Sequence, residues 1–423
     1  MEDKLLIESC PSFIVLPIDD EHSVFYNSIV HIACKLTKIE LLILDLYYKY
    51  QDREYILEQF PEDKKGLILK SLEFVDKNEL LCTKEKECFI NDCVYPSTYY
   101  LHLTYQCQLR CTYCYNQKIR KEQKYKSLSK DEWIEILDKI LPYANHIILT
   151  GGECFLNPNI ANIVEYIKDV NPAIAISCIS NGMHDYSSDI INRVFHCIDS
   201  ITLSCDSISS VGNRIGFNPE LFKRNVLYIR TKYPNVKVSV ATTITKNSIA
   251  LNGEIKKFCY TNGCNLNNTV VIPSSLDEID LVPSLSEVIE LGARAHEADP
   301  IKHLNQKRIR CSAAKEVCSI DPMGNVYPCQ SLHHQEFLLG NIMEQNLDDL
   351  KFIHKSEFCL PTVNELEVCS SCKVKYMCGG GCIATGYELY GGKLQRNHLT
   401  CALNHENAIE KLKSLSNCSK LIL

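Results

Sequence analysis

From Tyr99 onward, short apolar runs alternate with stretches whose apolar positions recur with helical spacing. Residues 100–104, 146–150, 173–180, 200–204, 236–243 and 268–272 have the length and β-branched content of strands. Between them, residues 130–142, 160–169, 187–195, 220–233 and 254–261 read as helices, the first opened by the capping box Ser129-x-x-Glu132. This alternation predicts an α/β fold with a parallel sheet and outer helices, and six strands fit a partial (β/α)6 barrel. In such barrels the chemistry lies at the C-terminal ends of the strands. A further helix is expected over residues 286–299.

Residues 1–95 follow a different pattern. Residues 13–18 and 24–32 read as two strands joined by the acidic turn Asp19-Asp20-Glu21. Thr37-x-x-Glu40 caps a helix through residues 41–47, and shorter helices are expected near 54–60 and 67–75. Two strands and three helices suggest a winged-helix-like domain. Its charge modifies that picture: residues 1–95 hold 11 Lys and Arg against 19 Asp and Glu, a balance of −8, while the whole chain carries −7. Nucleic-acid binding is driven by basic charge, so a DNA-binding role is disfavoured. A lid or dimerisation module is the plainer reading; a peptide-binding module with a strand edge open to an extended partner is the sharper one.

From Arg308 the chain is punctuated by cysteines, and Gly379-Gly380-Gly381 has little helical propensity. This part is expected to be held by bound clusters more than by an apolar core. The expected domains are therefore 1–95, 96–305 and 306–423. No apolar run reaches the roughly 18 residues of a membrane span, and the start Met-Glu-Asp-Lys is unlike a signal peptide. A cytoplasmic setting is expected, with the 24 cysteines as metal ligands or free thiols, not disulfides.

Two cysteine spacings carry chemistry. Cys107-x3-Cys111-x2-Cys114 follows a strand and offers three thiolates, enough for three irons of a [4Fe–4S] cube. The fourth iron is left for an exogenous ligand. A zinc knuckle is the plainer alternative, but zinc sites usually show paired C-x2-C units with four local ligands. With Tyr113 before the last cysteine, this segment resembles the hallmark of the radical S-adenosylmethionine (SAM) superfamily, over about residues 99 to 300. Further motifs recur in order at strand ends: Gly151-Gly152-Glu153, Ser180-Asn181-Gly182 and Ser204-Cys205-Asp206-Ser207. The resemblance implies that Gly151, Gly152 and Glu153 receive the SAM amino group, that Ser180 and Asn181 lie beside SAM, and that Ser204 and Asp206 face its ribose and methionine moiety. Asn213-Arg214-Ile215-Gly216 departs from the family's Arg-Gly pair because Ile215 intervenes. Arg214 is the candidate for the SAM carboxylate.

The later cysteines resemble the SPASM extension. Twelve residues separate Cys311 from Gly324, Gly324-x4-Cys329 follows, then Cys369-x2-Cys372-x5-Cys378-x3-Cys382 and the lone Cys401. The resemblance implies two auxiliary [4Fe–4S] clusters. One takes Cys311, Cys329 and Cys382; the other takes Cys369, Cys372, Cys378 and Cys401. Cys318 is expected to complete the first. Were it not a ligand, an iron there would be open to a substrate thiolate. Cys82, Cys88 and Cys93 fit no usual site, Cys154 and Cys205 read as small core residues, and His333-His334 reads as a loop.

The resemblance implies three [4Fe–4S] clusters, SAM, a 5′-deoxyadenosyl radical that abstracts hydrogen, and a low-potential electron donor such as ferredoxin or flavodoxin. Enzymes of this type mostly modify peptides or proteins. With the N-terminal unit as a leader-recognition element, the expected function is maturation of a ribosomally made precursor peptide, closing a Cys thioether. Carbon–carbon crosslinking and sulfatase-maturating-type oxidation of a Cys or Ser are the alternatives. No nucleic-acid or membrane partner is expected. A redox-sensing DNA regulator would not need the Gly-Gly-Glu segment.

Overall fold

A computed structural model describes residues 5–84, 95–116, 127–271, 273, 276–290, 308–350, 360–396, 398–414 and 421–422. The order begins β1 (Phe13–Pro17), β2 (His22–Asn27), β3 (Ile32–Thr37), α1 (Lys38–Tyr50), α2 (Arg53–Glu58) and α3 (Lys65–Lys77). The expected second strand is therefore two strands. Asn27 Oδ1 accepts from Ile29 N at 2.7 Å, and His31 takes a left-handed φ of 57°. That turn reverses the chain inside an apolar run whose pattern is continuous. The Thr37–Glu40 capping box forms as read, with Thr37 N donating to Glu40 Oε2 at 2.9 Å.

The three strands pair antiparallel and bury both faces. Phe13, Phe25, Cys34 and Leu36 pack on Leu41 and Leu44 of α1 and Val75 of α3. On the other face, Ile14, Val24, Tyr26 and Ala33 pack on Val374, Ala408 and Leu412 from the far end of the chain. The edge of β3 pairs antiparallel with the chain's own Leu421–Ile422, in register with Cys34 and Ala33.

The barrel region adds β4 (Thr98–Thr104), β5 (Arg110–Cys111), α4 (Lys130–Ile140), β6 (His146–Gly151), α5 (Ile160–Val170), β7 (Ala175–Ser180), α6 (Asp189–Cys197), β8 (Ser200–Ser204), β9 (Arg214–Ile215), α7 (Pro219–Lys232), β10 (Lys237–Ile244), α8 (Asn252–Thr261), β11 (Asn265–Val270) and α9 (Leu285–Glu290). The six strands β4, β6, β7, β8, β10 and β11 are parallel neighbours in an open sheet. Of the helix expected over 286–299, the part beyond residue 290 lies outside the described residues, as do Cys88 and Cys93.

The sheet's alternation explains where a site can form. Tyr99, Leu101, Leu103, Ile147, Leu149, Ile176, Ile201, Leu203, Val238 and Val240 are buried with Trp133 of α4 in one large core under the helices. The opposite face carries Tyr100, Ser177, Thr202, Ser204, Ser239 and Thr243, all half-buried. A parallel sheet covered on both sides would be apolar on both. Here the inner face is polar and open.

After the barrel come β12 (Val317–Ile320), β13 (Asn325–Tyr327), β14 (Gly340–Asn341), α10 (Glu367–Ser370), α11 (Lys375–Cys378), α12 (Ile383–Leu389), α13 (His398–Ser414) and β15 (Leu421–Ile422). β12 adds parallel to β4, and β13 and β14 follow antiparallel, so the sheet runs on past the barrel's first strand.

Candidate active site and cluster sites

Each motif read from the sequence sits where a barrel strand ends. Cys107, Cys111 and Cys114 lie in the loop after β4. Cys111 is fixed by the two-residue pairing of β5 with β9, opposite Arg214. The glycines after β6 serve close packing. A Cβ on Gly151 (φ 123°) would lie 2.3 Å from the carbonyl oxygen of Thr104, and one on Gly152 would lie 2.2 Å from that of Gln106. In their absence Gly152 N donates to Thr104 O at 2.7 Å and Glu153 N to Gln106 O at 2.8 Å. The Gly-Gly-Glu segment is thus clamped against the cysteine loop itself.

Glu153 is fully buried, and its oxygens are taken up by the protein. Ser180 Oγ donates to Oε1 at 2.9 Å and Asn181 N to Oε2 at 2.7 Å. Burial raises its pKa to about 7 despite those donors. His184 Nε2 stands 3.8 Å away. Its carboxylate therefore ties β6 to β7 as well as facing the site. Asn181 reaches further, its Nδ2 lying 3.5 Å from Cys107 Sγ.

Asp206, Arg214 and Tyr113 form a second knot. Arg214 Nε lies 3.2 Å from Asp206 Oδ1, its guanidinium sits 5.6 Å from the centroid of the Tyr113 ring, and Nη1 points at Cys111 Sγ at 3.8 Å. Tyr113 OH donates to Asp206 Oδ2, and Thr243 N donates to Oδ1 at 3.0 Å. Gly216 (φ 94°), past the extra Ile215, packs on Leu109 of the cysteine loop. Ser204 faces the open interior, half-buried.

Burial pushes the Cys111 thiol up to about 11; Arg214 opposes this, while Cys114 and Cys107 add to it. A Cys111 thiol that is costly to ionise, with N–H groups of Asn181 and Arg214 aimed at the Cys107 and Cys111 sulfurs, suits a cationic iron centre that would deprotonate the thiols and leave their sulfurs to accept those bonds. Among the described residues no three His, Cys, Asp or Glu side chains are close enough to share one ion. Gln108 and Asn116 were not singled out in the sequence. Gln108 Nε2 bonds Met183 O at 3.3 Å, and Asn116 Nδ2 bonds Gly151 O at 3.2 Å. Their place directly beside the cluster cysteines is the signal that could have found them.

At the C-terminal region, Cys369, Cys372, Cys378 and Cys401 line one pocket together with Val374, Lys375, Gly380, Arg396 and His405. Cys311, Cys329 and Cys382 also face one another. The Cys329 thiol is raised to about 12, first by burial and then by Cys311 and Cys382. Cys318, the expected fourth ligand, stands apart. It is fully buried on β12, in register with Tyr99, and packs in the core under the barrel helices. Strand alternation turns its neighbour Ser319 the other way, to bond His333 Nε2 at 2.8 Å. His333 is an interior residue stacked on Tyr327 with centroids 4.5 Å apart, while His334 pairs with Glu388 Oε1 at 2.5 Å.

Residues 101–248 match the model of the Radical SAM superfamily, and residues 311–373 match that of the SPASM iron–sulfur cluster-binding domain. The chain thus carries a radical SAM domain and a C-terminal SPASM domain, and these domains imply a SAM-binding [4Fe–4S] cluster plus auxiliary clusters. It is 25% identical to the mycofactocin maturase MftC of Mycobacterium tuberculosis over 68% of this chain and 80% of that one. It is 21% identical to the sporulation killing factor maturation protein SkfB of Bacillus subtilis, over 61% and 65%. Its fold is that of native anSMEcpe with bound AdoMet (TM-score 0.60, 18% identity, 77% of this chain, 100% of that one). It is also that of Streptococcus suis SuiB bound to its precursor peptide SuiA (TM-score 0.57, 15% identity, 92% and 98%). No helix among the described residues is long and apolar enough to cross a membrane.

Proposed function

We propose that this enzyme matures a ribosomally made precursor peptide by closing a thioether between a peptide cysteine and a carbon of the same peptide. The observation that carries the thioether is the position of Cys318. Among the described residues three cysteines, Cys311, Cys329 and Cys382, converge at the first auxiliary site, and Cys318 is turned into the core. A cluster held there by three protein thiolates would leave an iron for a fourth, and a substrate cysteine is the thiolate that thioether closure requires. The MftC and SkfB likenesses support a peptide as the substrate.

Bound SAM supplies the hydrogen-abstracting radical; the chain's residues prepare its place. Cys107, Cys111 and Cys114 would hold the cluster and Gly151 and Gly152 bring the SAM segment against it. Glu153, Ser180 and Asn181 brace β6 to β7. Asp206, Arg214 and Tyr113 hold the loop after β8 at the same centre, and Ser204 lines the interior where substrate would enter. The edge of β3 already accepts an antiparallel strand from Leu421–Ile422. This supports a leader bound by strand addition at that edge, in competition with the tail.

The test is to mix the reconstituted enzyme anaerobically with dithionite, SAM and the cysteine-containing peptide encoded beside its gene. Loss of two hydrogen masses per site, with those cysteines no longer alkylated, is expected. The same loss with every thiol still alkylated would replace the thioether with a carbon–carbon bond. Release of 5′-deoxyadenosine with an unchanged peptide would remove that peptide as substrate.

A further inference from the structure

The two auxiliary sites differ in electrical surroundings. Arg396 lines the pocket of Cys369, Cys372, Cys378 and Cys401 and is only 8% exposed. It makes no ion pair with a carboxylate among the described residues. A guanidinium buried this way is costly unless a negative group faces it, and the four thiols are what it faces. Its placement is built into the backbone: a Cβ on Gly386 of α12 would lie 1.8 Å from the carbonyl oxygen of Gln395, so the absence of a side chain lets the segment leading to Arg396 lie tight on that helix. The other cations of the pocket are differently engaged. Lys375 Nζ donates to Ser370 O at 3.1 Å, and His405 Nδ1 lies 4.0 Å from Glu406.

Among the described residues no cation acts on the thiols of Cys311 and Cys329 as Arg396 does on Cys369 and Cys378. Cys311 and Cys329 pack on Ala313, Leu360, Ile383 and Leu394. Arg310, next to Cys311 in sequence, acts on Glu365, while Cys311 feels the acidic Glu316. Cys382 is exposed to water, which favours the reduced, more negative state. A full charge inside a protein-walled pocket is screened far less than one across solvent, and it outweighs that exposure.

We infer that the Cys369/Cys372/Cys378/Cys401 site holds the more easily reduced auxiliary cluster, that Arg396 sets this order, and that this site is the resting place of the electron released by the peptide. The inference rests on the peptide-maturation reading. In thioether closure the peptide loses one hydrogen atom to the SAM-derived radical, then one proton from the thiol and one electron as the S–C bond forms. The electron converts one [4Fe–4S]2+ site to [4Fe–4S]+. With the peptide thiolate on the first site both clusters would carry four thiolates and equal charge, so the buried cation decides the order and the site beside Arg396 takes the electron.

The test uses the full chain with Cys107, Cys111 and Cys114 replaced by Ala, leaving only auxiliary clusters, titrated by potential under electron paramagnetic resonance in excess dithiothreitol, which supplies the fourth thiolate of the first site. Two reduction steps are expected. Adding Cys311→Ala and Cys329→Ala should abolish the lower step, which assigns the upper one. Arg396→Gln should lower the upper step by at least tenfold in the reduced-to-oxidised ratio, which is about 59 mV for one electron. Arg396→Lys should keep most of the wild-type value, and the lower step should stay put. An upper step unmoved by Arg396→Gln at unchanged iron content overturns the inference while leaving peptide maturation intact. A full chain that takes up no auxiliary iron sinks both.

Discussion

The barrel and the C-terminal region reach a defined site by opposite means. Around the barrel site the backbone does the positioning. One large core of buried side chains fixes the strands, and glycines and buried polar groups lock the cysteine loop to the ends of β6, β7 and β8. From residue 360 on, the described residues form only small apolar clusters, with two helices of four residues and three consecutive glycines in left-handed conformation, Gly379, Gly380 and Gly381. A site that must cleave SAM reproducibly benefits from a frame that exists before the cluster arrives. A region that stores electrons can let the cluster itself be its core, because metal-binding free energy is then folding free energy.

The sharpest way to break that contrast is to remove ligands on each side. Replacing Cys369 and Cys372 with Ala should collapse protease resistance beyond residue 360 and lower the melting temperature markedly. Replacing Cys107, Cys111 and Cys114 should abolish SAM cleavage yet leave about two clusters' worth of iron and a nearly unchanged melt. Equal loss of structure in both would erase the distinction.

Burial of Glu153 gives the next largest effect. Its carboxyl is raised from 4.5 to about 7 in the fold, so the folded chain binds the extra proton. Stability is then greatest below pH 4.5 for this group and falls as pH rises through about 7. Glu153→Gln removes that slope; the gap amounts to about 3 kcal/mol at most, read by denaturant melts from pH 5 to 8. Gly152→Ala tests the same frame by overpacking. Its methyl would strike Gln106, costing about 1–3 kcal/mol and displacing the cysteine loop, so SAM cleavage should fall further than stability alone explains. Leu421→Pro is the mildest. By freeing the β3 edge it should tighten leader binding about threefold, measured by titration of a fluorescent leader peptide. Unchanged affinity would move the leader to another surface.

Much of this enzyme was legible before any fold was drawn. The first five barrel strands and the helices between the strands fall within two residues of where period puts them, because each is a local pattern, while the sixth strand, β11, begins three residues earlier than read. The N-terminal sheet was less legible. The turn at Asn27–His31 lies inside an apolar run, and only a side-chain bond and one left-handed residue create it.

The sequence by itself determined the chemistry. Cluster cysteines sit within a few residues of one another, and the SAM motifs sit at strand ends, so their meaning survives without coordinates. Tertiary structure alone decided which way those residues face. Strand register turned Cys318 into the core beside Tyr99. Long-range packing spent the carboxylate of Glu153 on Ser180 and Asn181. The same packing laid Arg396 over four thiols, three of them more than 17 residues before it in the chain. Facing depends on partners distant in sequence, and no local pattern records them.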